Sequence, residues 1–308
     1  MDQRHDDPHN DTLLRFSFDH LPVRGQWVRL HKVVEDATRH RTYPPSVLRL
    51  LASQFAAVSM FADNLKFQGA VALQSKGLES PLIRSLAECR DQQFLRGIAH
   101  LDPEQASPTN PADLREWLGG GQLALSLIPT GSGQPYQGLI EQRHATLASN
   151  LESYFEQSEQ LPTRLFFAHT DTPSVTGLLI QRLPEDDLAT EIASSTAEEG
   201  WQTISALVDT LQEQELASLA PAELLNRLFH ELPCRIYPTR PLSFRCTCSR
   251  AKSDRTLRVL PEDDLRSLLD ERGSIEVDCE FCGTRYDYDA VDISALLHQA
   301  TTGNPQSH

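Results

Sequence analysis

Residues 244–250 read FRCTCSR and residues 278–282 read DCEFC. The first stretch sets Cys246 and Cys248 on either side of one threonine, and the second sets Cys279 and Cys282 in a CxxC. The chain has 6 cysteines, so four of them fall into these two short hooks, with 30 residues between Cys248 and Cys279. Two hooks joined by a long loop are the usual layout of a structural zinc site, in which each hook gives two thiolates to a tetrahedral ion. A close cysteine pair is also compatible with redox chemistry or with chance. The neighbours Arg245, Thr247, Ser249, Asp278 and Glu280 are polar or charged, which argues against cysteines that are merely buried. No histidine lies between 246 and 282. A site made of these four ligands is therefore closed to a catalytic water, and hydrolytic zinc chemistry is not expected. Zinc would keep the sulfurs as thiolates, the nucleophilic form. Arg245, Arg250, Lys252, Arg255 and Arg258 surround the first hook against a single acid, Asp254, and this local positive charge would favour a four-thiolate centre.

Upstream of the cysteines, WQTISALVDTLQEQEL (201–216) places Trp201, Ile204, Val208 and Leu211 on one helical stripe. Pro221 opens a second helix with Leu224, Leu225, Leu228 and Phe229 on one side. Helices of this length are marginal without a partner surface. The stretch before them, 185–200, is acidic and reads as a solvated face. These features define a helical linker that can dock or let go.

Further upstream, FSFDH and VRGQWVRLHKVV within 13–36 alternate as strands do. Pro44 and Pro45 precede Ser46, a candidate cap, and Val47, Leu48, Leu51, Phe55, Val58, Ala62 and Leu65 follow a long helical spacing. FQGAVALQS (67–75) reads as a strand, 117–140 as a hairpin, 150–160 as a short helix bearing a core stripe at Leu151, Tyr154 and Phe155, and RLFFAHT and VTGLLIQRL as two more strands. Cys89 follows what reads as an apolar helical stretch, in a packing role. No regular βαβ alternation emerges, so the fold class expected is α+β, with a mixed sheet-and-helix N-terminal domain, a helical linker and a small C-terminal zinc-binding α+β module. The expected organisation is a disordered tail over 1–12, a core domain over 13–183, the helical linker over 184–240, the zinc-binding module over 241–300, and a second disordered tail over 301–308.

The chain has 308 residues, is 39% hydrophobic and 23% charged, and carries a formal charge of −15. Such a balance argues against gripping phosphate backbones as a main task. No run of apolar residues long enough to span a membrane occurs, and the polar N-terminus MDQRHDDPHNDT has no signal-peptide h-region, so a cytoplasmic protein is expected. Gly119–Gly121 and Gly131–Gly133 lack the Lys-Ser/Thr of a phosphate loop and read as turns.

FRCTCSR together with VDCEFCGTRYDYDAVDISALL (277–297) resembles the C-terminal redox switch of the heat shock protein 33 family. The resemblance extends to DTLLRFSFDHLPVRGQWVRL, YPPSVLRLL, LKFQGAVALQS, PYQGLIE and LESYFEQSEQLPT, and covers roughly 12–298. It implies a chaperone that holds unfolding proteins without ATP, is not an enzyme, and is switched on by oxidation under oxidative and heat stress. It implies one zinc ion on Cys246, Cys248, Cys279 and Cys282 in the reduced state, and disulfides Cys246–Cys248 and Cys279–Cys282 after oxidation. It also implies unfolding of the module and linker, a homodimer when oxidised, and unfolded client proteins as partners. Two departures stand out. The family commonly has a glutamate shortly after the first hook, where this chain has Ala251-Lys252. Cys234, in ELPCRIY, sits where an apolar or small residue is expected; it reads as a half-buried cysteine rather than an extra oxidisable thiol. Two other functions compete. A zinc-ribbon-like nucleic-acid-binding module would use Arg245–Arg258, although no aromatics interleave them. A thiol–disulfide oxidoreductase would use CEFC, although here the CxxC precedes Gly283 and a strand rather than opening a helix.

Overall fold

Strand side chains alternate between two faces, and the pattern in TLLRFSF and VRGQWVRL produces β1 (Thr12–Phe18) and β2 (Val23–Leu30). The computed structural model describes residues 7–65, 68–131, 133–170, 173–184 and 191–302, the side chains at 191–196 and 299–302 excepted. After β2 the chain runs through α1 (Lys32–Thr38), α2 (Pro45–Asp63), β3 (Gly69–Lys76), β4 (Leu82–Arg90), β5 (Phe94–Leu101), α3 (Leu114–Leu118), β6 (Gln122–Pro129), β7 (Tyr136–Ile140), α4 (Leu147–Gln157), β8 (Thr163–His169) and β9 (Val175–Arg182). Then follow α5 (Glu191–Val208), α6 (Glu213–Ser218), α7 (Pro221–Phe229) and the short strands β10 (Cys234–Ile236), β11 (Arg240–Pro241) and β12 (Ser243–Phe244). The last elements are α8 (Arg250–Leu257), α9 (Glu262–Arg272), β13 (Ile275–Asp278), β14 (Arg285–Tyr288) and α10 (Ala290–Thr302). The chain forms two units, Met1–Arg245 and Cys246–His308, and the class is α+β.

The first unit contains two sheets. One has the order β10-β1-β2-β9-β8, with β11 also on β1; the other has the order β12-β5-β4-β3-β6-β7. All pairings are antiparallel except β12 with β5. Helix α2 packs against strands of both sheets and is buried on every side from Leu51 to Ala62, which is why it is apolar all round. By length and composition α2 alone among the described helices matches a membrane span, but it is the core helix. Gly97 on β5 allows its close approach, since a Cβ there would sit 2.7 Å from the Phe55 ring. Leu151 and Tyr154 of α4 join the same core.

The other face of the first sheet carries Phe16, Phe18, Trp27, Leu178 and Ile180, and α5–α7 cover it with Ile204, Val208, Leu216, Leu225, Leu228 and Phe229. The Phe18 and Phe229 rings meet edge-to-face at 4.8 Å. Buried Arg29 donates to the carbonyls of Ala217 at 3.2 Å and Leu219 at 2.9 Å, and the ion pairs Arg164–Asp209 and Arg182–Glu198 flank the helices. The stretch expected to be a helical linker thus holds three helices and ends in β10 and β11, both on β1. Asp7 pairs with Arg29 at 2.7 Å; residues 1–6 and 303–308 of the two expected tails, and part of the acidic run at 185–190, lie outside the described residues.

Four local readings are corrected. Cys89 lies in strand β4, not after a helix: LAEC carries no clean alternation, because both faces of this strand are largely covered. HKVV leaves the strand after Leu30 and enters α1, where Val33 and Val34 turn into the core. Ser46 is not the cap of α2; Pro44 occupies that position and offers no side-chain acceptor. The hairpin expected over 117–140 begins only at β6, since Leu118 ends α3 and Gly119, at φ 56, closes that helix.

Candidate metal centre

In the second unit the hairpin β13–β14 pairs Ile275 with Tyr288 and Asp278 with Arg285. Its connecting loop is Cys279–Thr284. The Cys279 N–H donates to the Thr284 carbonyl at 2.8 Å, and the Gly283 N–H donates to the Cys279 carbonyl at 2.8 Å. Gly283 stands at φ 70, a left-handed position that a Cβ disfavours. The Arg285 guanidinium binds Asp278 at 2.9 Å and closes the base of the loop. This tight turn directs both cysteines of the CxxC to one side.

The CxC hook leads directly into α8. Ser249 caps that helix by accepting from the Lys252 N–H, and Lys252 Nζ reaches back to Thr247 Oγ1 at 2.9 Å. Arg250 in the first turn donates to the Asp287 carbonyl at 3.0 Å, pairs with Asp292 at 2.7 Å, and lies 4.4 Å over the Tyr288 ring. Through Arg250 the first hook is tied to β14 and α10. Beneath lies a small apolar cluster of Leu257, Leu265, Ile275, Tyr288, Ile293 and Leu296.

The two hooks converge. Cys246 Sγ is 3.6 Å from Cys279 Sγ, Cys248 Sγ is 3.4 Å from Cys282 Sγ, and all four sulfurs lie within 4.8 Å of one another. A tetrahedron of sulfurs ~2.3 Å from a zinc ion has edges of ~3.8 Å, so the spread fits such an ion. A disulfide bond is ~2.0 Å long, so these are four free thiols. Sulfurs of different hooks approach to 3.4 Å, so the two hooks form one site. The donor set is all sulfur, which suits soft or borderline metals.

Burial pushes the Cys246 and Cys279 thiols up. Burial also acts to raise Cys282, but hydrogen bonds with Thr284 and the neighbouring thiols outweigh it and hold it at about 7. One sulfur is thus ready to ionise, and metal binding displaces the remaining protons. Hydrogen bonding to Cys248 pushes the Tyr286 phenol up to about 12. Thr284 and Tyr286 were not singled out as members of this site from the sequence, whereas Arg250 and Lys252 were read there as part of the positive surround of the first hook.

A family model described as Hsp33 protein matches residues 11–289. The 33 kDa chaperonin of Pseudomonas fluorescens is 38% identical over 299 residues, covering 97% of this chain and 97% of that protein. The chain belongs to the Hsp33 family. The 33 kDa chaperonin of Azotobacter vinelandii is 39% identical over 298 residues, 96% of this chain and 98% of its own. The crystal structure of the 33 kDa chaperonin (heat shock protein 33 homolog) from Thermotoga maritima superposes with a TM-score of 0.78 at 23% identity, covering 95% of this chain and 99% of that one, and shares the fold. The four-cysteine cluster of this family member could hold a metal ion.

The other two cysteines stay out of the cluster. Cys89 is fully buried in the main core, and burial pushes its thiol up to about 12. Cys234 is half-buried on β10 at the edge of the second cluster, and burial pushes it up to about 11. The basic run around the first hook is divided. Arg245 lies 4.6 Å over the Phe94 ring in the first unit, and Arg250 is committed to Asp292, which weakens the nucleic-acid reading.

Proposed function

We propose that this chain is an ATP-independent holding chaperone whose activation is the oxidation of a four-cysteine zinc centre, and that it protects unfolding proteins in the cytoplasm during oxidative and heat stress. The observation that carries this reading is the convergence of four sulfurs within 4.8 Å in a unit with only a small apolar core. The zinc ion, when bound, holds the sulfurs as thiolates and adds its binding free energy to the folding of the unit. Cys246, Cys248, Cys279 and Cys282 are its ligands.

Oxidation joins Cys246 to Cys248 and Cys279 to Cys282. In each hook two thiolates give two electrons to one molecule of an oxidant such as hypochlorous acid, whose chlorine leaves as chloride and whose oxygen leaves as water after taking up one proton, and one S–S bond forms. The paired sulfurs no longer serve as ligands, and the unit loses the main support of its fold. Release of α5–α7 would then bare Phe16, Phe18, Trp27, Leu178 and Ile180, an apolar face of the kind that binds partners. Unfolding client proteins bind there or on the freed helices, and the oxidised chain is a homodimer. The role is binding rather than catalysis.

The test is to oxidise the zinc-loaded protein and measure suppression of citrate synthase aggregation while zinc release is followed in the same sample. Suppression that rises with zinc release is expected. Zinc release without suppression sinks the reading.

A further inference from the structure

We propose that a cavity walled by α6 binds an amphipathic monocarboxylate, such as a free medium-chain fatty acid, and that the site is complete only while α6 is docked. The cavity has a volume of about 940 Å³, within the range of about 300–1,000 Å³ typical of small-molecule sites. Its walls come from the start of α2, α3, the start of α4, β8 and α6. Trp117, Leu147 and Leu165 make a buried apolar lining, and Leu216 of α6, 1% exposed, closes one side.

Among the described residues, three titratable side chains line this space: Arg49, His169 and Glu213. His169 adds no charge at neutral pH. Burial, then the Arg49 guanidinium, pull its pKa down to about 4, and its Nε2 lies 3.0 Å from Ser53 Oγ. The Glu213 carboxylate, on the α6 side, accepts the His169 backbone N–H at 3.3 Å. Arg49 is exposed and has no hydrogen-bond or ion-pair partner among the described residues. An unmatched guanidinium at the wall of an apolar space is complementary to a carboxylate joined to a hydrocarbon tail. The α2 helix begins on the same wall with no capping side chain, which adds positive partial charge on the Arg49 side. Glu213 repels a carboxylate from the α6 side, so the headgroup is set at Arg49 and the tail runs toward Trp117 and Leu216.

When α6 leaves, the site loses Leu216 and its closed side. A ligand that binds only the docked form stabilises that form by mass action. This second half rests on the proposed release of α5–α7; the binding itself does not.

The test uses the reduced, metal-loaded full chain with dodecanoate as probe, and dodecanol and dodecyltrimethylammonium as charge controls, all by calorimetric titration. Dodecanoate is expected to saturate one site and to bind roughly 10-fold or more tighter than the cation, about 1.4 kcal/mol. Arg49→Glu should remove that preference while leaving the melting temperature in place, because Arg49 is exposed and has no hydrogen-bond or ion-pair partner among the described residues. Ala112→Trp, at the exposed rim, should block all three probes without changing charge. Equal affinity for the three probes, no saturation by dodecanoate, or an unchanged preference in Arg49→Glu overturns the binding site. Hydrogen exchange of the α6 amides should slow with dodecanoate present. Unchanged exchange overturns the docking half, whatever the oxidised protein does in the aggregation assay.

Discussion

The two units of this chain solve the same problem with different means. In Met1–Arg245, α2 is packed between two six-stranded sheets, and a second apolar layer under α5–α7 covers the far face of one of them. In Cys246–His308, a handful of apolar side chains sit beneath four thiols that face one another. Burial fraction rises with size, so a large unit can rest on its apolar core, whereas a unit of this smaller size usually needs a metal or cross-links. The first unit can therefore rest on its apolar core, whereas the second is of a size that usually needs a further tie, and four sulfurs stand where one could be.

The largest expected effect separates the two units outright. If the proposed zinc is bound, chelating it from the reduced protein should remove a folding contribution of about 10 kcal/mol or more, and Cys279→Ser, which takes away one of its four sulfurs, should lower that contribution. Amides of α8–α10 and β13–β14 should lose exchange protection while those of α2, β2 and β9 keep it. Full protection of the metal-free hairpin would erase the contrast.

Within the first unit, Phe229→Ala should cost about 3–5 kcal/mol, because it empties the packing against Phe16 and Phe18. Binding of an apolar dye should rise as α7 loosens, with α2 still protected. Arg29→Ala removes two charge-assisted hydrogen bonds to the α6 end, each worth about 1.5–3 kcal/mol. Since solvent replaces part of that loss, a smaller loosening of α6 is expected, measured by exchange at Leu216.

Cys89 sharpens the contrast through pH. Its thiol stays protonated in the fold, pushed up to about 12 from 9.0, chiefly by burial. The unfolded thiol ionises first, so the contribution to stability is whole below pH 9 and is lost as pH rises toward 12. The loss is at most roughly 1.4 kcal/mol per pH unit. Urea midpoints at pH 8 and pH 10 should fall further for the parent protein than for Cys89→Val. The smallest effect is assigned to Cys234→Ser, under about 1 kcal/mol, with zinc release under oxidant unchanged. A shifted oxidant dose in that variant would make Cys234 part of the switch.

How much was legible depended on whether the signal was local. The CxC and CxxC hooks could be read because short cysteine spacings are visible in the residue order alone. The α7 stripe of Leu224, Leu225, Leu228 and Phe229 could be read because one face of an isolated helix already shows its apolar side. β4 could not: LAEC lies under α2 on one face, and on the other Glu88 is drawn in by Arg90 and Arg96, so period two is lost. β10 and β11 were hidden for a related reason, since three- and two-residue strands exist only through their pairing with β1.

Residue order by itself determined the two cysteine hooks, the amphipathic character of the helices before them and the α+β class, because spacing and periodicity are properties of short stretches. Tertiary structure decided which strands pair, that α2 is shared by two sheets, that Arg245 and Arg250 part company, and that the cavity beside Arg49 exists at all. Those features come from contacts between residues far apart in the chain, where packing chooses among arrangements that local preference leaves equal.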